Sequence, residues 1–160
     1  MGEVTAWEII SLVITLTAQG VFILVTYRLA IRQFRMAKAS QYLERFMSKE
    51  MMDARTVVDQ FCGKDIHDMI GSLRADNCRE ELGQIRMFAN FFQELGIAFR
   101  KGLVDRRYTE EIFDFLVKSY WKKLYGWVQD YRKLQGDKSL YSKWEDLATI
   151  FENHSLESKR

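Results

Sequence analysis

Four side chains have the types to hold a metal: Cys62, His67, Cys78 and His154. Structural zinc sites use thiolate and imidazole ligands in pairs a few residues apart. The spacing here fits no such pattern, so no metal and no cofactor is expected. Both cysteines read as free, buried thiols on a reducing side of a membrane. A second chemistry would need an arginine four to six residues ahead of a histidine, the arginine holding a phosphate while the imidazole moves a proton. Neither histidine has one. His154, preceded by Asn153, is left as a weak catalytic candidate, and the chain reads as a non-enzyme. No phosphate-cradling glycine loop appears, and the carboxylates are scattered among lysines and arginines as solvated faces.

The spacing of Ser11, Thr15 and Gln19 is more informative. On a helix these residues form one narrow polar stripe, extended by Glu8 and Thr26. The stripe lies inside a run from Ile9 to Tyr27 that carries no charge. As a helix that run spans about 28 Å, close to the hydrocarbon thickness of a bilayer. Polar groups in hydrocarbon need partners. Ser and Thr can bond back to their own helix, but one helix offers nothing to Gln19. The stripe points either to helix–helix contacts in a homo-oligomer or to a water-lined pore. A passive anchor that tolerates one glutamine stays open as the plain alternative.

The elements that carry this stripe follow from composition. Trp7 and Tyr27 bracket the run as interfacial aromatics do. Arg28, Arg32 and Arg35 follow it, and Lys38 completes a basic cluster of charge +4, while residues 1–27 hold Glu3 and Glu8. Net charge is +2, so the rest of the chain is neutral, which argues against a broad nucleic-acid surface and for contact with lipid headgroups. The positive-inside rule places the N-terminus outside and the remainder in the cytoplasm. A cleaved signal peptide would want a basic start and small residues at a cleavage site, and this segment has neither.

Proline is absent and aromatics make up 14% of the chain, so long helices and a real core are both expected. Nothing breaks the chain between Tyr27 and Phe46, which predicts one helix running from the membrane into a basic stem. Ser48 should cap a helix ending near Gly63, and a short helix should cover Ile66 to Leu73. Asp76 or Asn77 should cap a helix that stops at Gly102. Asp105 should start a long helix closed by Gly136, and Ser139 should cap a last one to about Glu152. Asn90, inside an apolar run, should bond another helix or a loop. Tyr120, Trp121, Trp127 and Trp144 read as core. The organisation is thus all-α: anchor 1–28, stem 29–47, cytoplasmic helical-bundle domain 48–152 and flexible tail 153–160.

The stretch NFFQELGIAFRKGLVD, the Tyr120–Trp121 pair, Arg132 and YSKWEDLA resemble a family of small bacterial membrane proteins with one N-terminal span and a helical domain. The architecture is also similar to the membrane accessory proteins of RNA-targeting type VI CRISPR systems. That resemblance implies a HEPN-like helical body, assembly into a ring-shaped pore, a role in antiviral defence, and a CRISPR effector or RNA as trigger. It implies the bacterial inner membrane as location. The missing arginine–histidine motif weakens the carry-over of nuclease chemistry, and a divergent HEPN-like RNase working through His154 stays open as the less favoured alternative, beside a membrane-tethered, non-conducting interaction module.

Overall fold

The computed structural model describes residues 6–61 and 79–157. Five described helices account for nearly all of it: α1 (Ala6–Phe46), α2 (Lys49–Phe61), α3 (Arg79–Arg100), α4 (Arg106–Gln135) and α5 (Ser142–Glu157). Among the described residues there is no strand. The short helix expected at Ile66 to Leu73, and the caps at Asp76 and Asn77, lie outside the described residues.

Anchor and stem form one unbroken helix of 41 residues, about 61 Å long. From Ile10 to Ala37 it touches little, and its apolar window is 0% buried. Its last turns enter the body. Ala39 and Phe46 are buried, and the Phe46 ring sits 5.5 Å from Phe91 and about as close to Phe88, Phe92 and Phe113. The stem therefore ends as a plug in an aromatic socket. Edge-on and tilted ring pairs of this kind add to the burial of apolar area.

Helix ends follow the local chemistry in most places. The Ser48 hydroxyl accepts from the Met51 N–H and starts α2. Asp105 Oδ1 accepts from the Tyr108 N–H at 3.0 Å and starts α4. Gly136 closes α4 at φ 67°, with the Asp137 N–H returning to the Arg132 carbonyl in a Schellman turn. Helix α5 departs from expectation. It begins at Ser142, and the Ser139 hydroxyl and N–H both donate to Asp137 Oδ1. These contacts hold the Asp137 carboxyl below its usual range. Ser139 is thus used up in the preceding turn and leaves the first N–H groups of α5 to another partner.

Chain direction follows from the contacts. Phe91 on α3 meets Tyr42 and Phe46, and the Asp105 N–H just beyond α3 donates to the Arg35 carbonyl at 3.2 Å. Helix α3 therefore runs back towards the anchor. Helix α4 runs away from it again, since Tyr108 lies against Ser40 and Phe113 against Phe46.

Candidate functional site in the anchor, stem and helix lock

Along the projecting part of α1, the polar stripe is only partly in need of partners. The Thr15 hydroxyl donates to the Ser11 carbonyl at 2.8 Å, and the Thr26 hydroxyl donates to the Phe22 carbonyl at 2.8 Å. Thr17, on a different face, donates to Val13 in the same way. Such back-bonding satisfies a hydroxyl inside its own helix. The Gln19 amide is exposed and meets no partner among the described residues. It sits about 18 Å along the helix from Trp7 and about 12 Å from Tyr27, deep within the apolar run. The structure thus satisfies Thr15 within the helix and leaves Gln19 as the largest polar group of the stripe without a partner among the described residues.

Below the apolar run, Arg28, Arg32 and Arg35 are exposed and follow one another at helical spacing on a single face. Trp7 and Tyr27 are exposed at the two ends. The remaining sequence candidate, His154, lies on α5 and not in a tail, because the helix runs on to Glu157. Its Nδ1 is 3.0 Å from Glu110 Oε1. Glu110 is thus the only ion-pair partner found for this imidazole among the described residues. No group of three metal-ligating side chains gathers among the described residues. Cys62, His67 and Cys78 lie outside them.

The body carries a second arrangement that the pattern of apolar residues did not reveal. Gln93, on α3, turns its Oε1 towards the start of α5 and accepts from the N–H groups of Lys143 at 2.9 Å and Trp144 at 3.1 Å. A side chain fifty residues upstream thus does the work of an N-cap. Three residues on, Gly96 lies so close to α5 that a Cβ there would sit 2.2 Å from the Lys143 carbonyl oxygen. Trp144, fully buried, stacks on Phe92 at 4.8 Å and donates from its indole N–H to the Val117 carbonyl. Arg132 bridges the α4–α5 turn, donating to the Leu140 carbonyl and to Glu145 at 2.7 and 2.8 Å. Tyr141 occupies that turn at φ 58°. Burial, together with the neighbouring Tyr131, pushes its hydroxyl up to about 12, against the pull of Arg86.

Two residues on α3 therefore trade roles against expectation. Asn90 is exposed, while Gln93 makes the interhelical contact. The available signal was the glycine. An isolated glycine inside an apolar helix marks a close approach of another backbone. Gln93 stands one helical turn before it.

A family model described as a domain of unknown function, DUF4760, matches residues 7–151. The chain belongs to this family. No curated protein and no solved structure matches it. The DUF4760 match starts at Trp7, inside α1, and ends at Phe151, inside α5. The shared unit therefore includes apolar helix, stem, socket and lock together.

Several surface charges of the DUF4760 unit pair among themselves: Arg45 at the foot of the stem with Glu94, Lys123 with Asp59, Lys118 with Asp114, and both Arg100 and Lys143 with Asp146. Exposed pairs of this kind contribute little stability, but they cancel local field. Tyr42 and Tyr120 both titrate above the ordinary tyrosine range, chiefly through burial, with Glu94 and Asp59 adding to the shift.

Proposed function

We propose that this protein is a single-pass membrane protein that self-assembles through α1, forming or gating a pore, with the helical body in the cytoplasm. The observation that carries the reading is Gln19: an unpartnered amide near the middle of an exposed apolar helix. Hydrocarbon offers such an amide nothing, whereas a neighbouring copy offers the same group at the same depth. Interhelical hydrogen bonds of this type contribute about 0.6–2 kcal/mol each, enough to bias packing when several close a ring. The exposed arginines at 28, 32 and 35 support a cytoplasmic body by the positive-inside rule. Continuity of α1 into the Phe46 socket supports a retained anchor, since cleavage after the apolar run would sever the stem from its membrane. A place in antiviral defence, triggered by a CRISPR effector or RNA, rests on the architectural resemblance alone.

The mass of the detergent-solubilised particle tests assembly, and dye release from liposomes tests conduction. A closed ring that releases dye, with both properties lost in Gln19→Leu, is the expected outcome. A particle of the same mass in both variants removes Gln19 from assembly. A second reading, a non-conducting tether, draws support from the back-bonded threonines, which leave so little of the stripe unsatisfied. It expects a monomeric or dimeric particle and silent liposomes.

A further inference from the structure

The corner between α3 and α4 stands closest to the anchor of any part of the body tied to the stem. The Asp105 N–H donates to the Arg35 carbonyl at 3.2 Å, and a Cβ built on Gly102, whose φ is 66°, would stand 4.0 Å from the Arg35 guanidinium. Arg35 is eight residues beyond Tyr27, or about 12 Å along the helix. The headgroup layer extends about 5–8 Å beyond the hydrocarbon. The corner thus sits just under the headgroups, within reach of long side chains.

Its composition suits that position. Lys101, Arg106 and Arg107 are exposed, and among the described residues none of them has an ion-pair partner. Arg106 lies over the Phe99 ring and needs no carboxylate to hold it. The one acid of the corner, Asp105, spends its carboxylate on the Tyr108 N–H as a helix cap. Leu103, at the tip, is 47% exposed. The nearby stem face adds Arg28, Arg32 and Arg35, which also form no ion pair among the described residues. Elsewhere, Arg45, Arg100, Lys118, Lys123, Arg132, Lys133 and Lys143 each meet a carboxylate, while Lys49, Arg55, Arg86, Lys122 and Lys138 form no ion pair among the described residues; what sets the corner apart is its place beside the stem. Unpaired cations around one exposed leucine, just under the headgroups and within side-chain reach of them, have the chemistry of an interfacial contact.

We propose that the α3–α4 corner is a second membrane contact, in which Lys101, Arg106 and Arg107 bind phosphates of anionic lipids beside the stem arginines while Leu103 enters the interface. The inference rests on the membrane reading of α1 and adds to it. Two points of attachment fix the body's tilt against the bilayer, which one helix passing through cannot do. Lipid composition then controls how neighbouring bodies meet.

The test uses the full chain with Cys62→Ser, Cys78→Ser and Leu103→Cys, labelled with a fluorophore at position 103. It is reconstituted in vesicles of phosphatidylcholine, with or without phosphatidylglycerol, each doped with a lipid bearing a headgroup nitroxide quencher. Quenching should rise about twofold or more with the anionic lipid. It should fall to the neutral-lipid level in Lys101→Gln, Arg106→Gln, Arg107→Gln, and persist in Lys101→Arg, Arg106→Lys, Arg107→Lys. Equal quenching in both lipids, in a chain that floats with the vesicles, overturns the second contact alone. A chain that does not float overturns the membrane reading and this inference with it.

Discussion

One helix supplies two unlike regions. From Ile10 to Ala37, α1 is exposed almost throughout, and its threonines bond back within the helix while Gln19 meets no partner among the described residues. From Ala39 to Phe46 it is built into the body, and its last ring is surrounded by phenylalanines. The first region needs nothing from the fold beyond its own backbone ladder. The second exists as a buried element only because α3 and α4 enclose it. An apolar helix in lipid is locally complete, whereas a plug in a socket is a long-range object. Perturbing the body should therefore loosen the second region and leave the first intact.

The largest such effect is expected from Trp144→Ala. It empties a fully buried site between α3, α4 and α5 and should cost about 3–5 kcal/mol. Urea unfolding in detergent should show the loss of near-ultraviolet signal at lower denaturant, with the far-ultraviolet helicity of the anchor remaining. If anchor helicity disappears in the same transition, the two regions are not separable.

Alkaline pH offers a subtler handle on the body. The Tyr141 hydroxyl is raised to about 12, so the folded chain stays protonated where the unfolded chain has begun to ionise. Its stabilising contribution is whole below pH 10 and lost as pH rises from 10 through about 12, at most about 3 kcal/mol. Tyr141→Phe should flatten that part of the stability profile and leave anchor helicity unchanged. A profile equally steep in the variant would remove Tyr141 from the effect.

Gly96→Ala should cost about 1–3 kcal/mol by forcing α3 from α5 at the Lys143 carbonyl. The diagnostic is locality. Protection of α5 amides from hydrogen exchange should fall, while that of residues 10–30 stays as it was. Unchanged α5 protection would mean that the close approach carries no weight.

The features legible in the sequence are those decided within a turn or two of chain. The uncharged run, the unbroken stem, the Ser48 and Asp105 caps and the Gly136 terminator all depend on neighbours a few residues away. The start of α5 shows where this stops. Ser139 has the right chemistry for a cap, but Asp137 captures its hydroxyl and N–H, and the cap arrives instead from Gln93 on another helix. Asn90 and Gln93 lie on the same apolar helix, and composition cannot say which one faces a partner. The same holds at the candidate site: the stripe was visible as spacing, but only hydrogen-bond geometry separated the satisfied threonines from Gln19.

By itself, then, the sequence determined an all-helical chain with one helix long and apolar enough to cross a membrane, because hydrophobic length and helix-end chemistry are short-range properties. Tertiary structure decided that the stem ends in a phenylalanine socket, that Gln93 and Gly96 lock α5 in place, and that a basic corner lies beside Arg35. Each of these joins residues tens of positions apart. Such meetings are set by which faces of the helices bury together, and no local pattern records them.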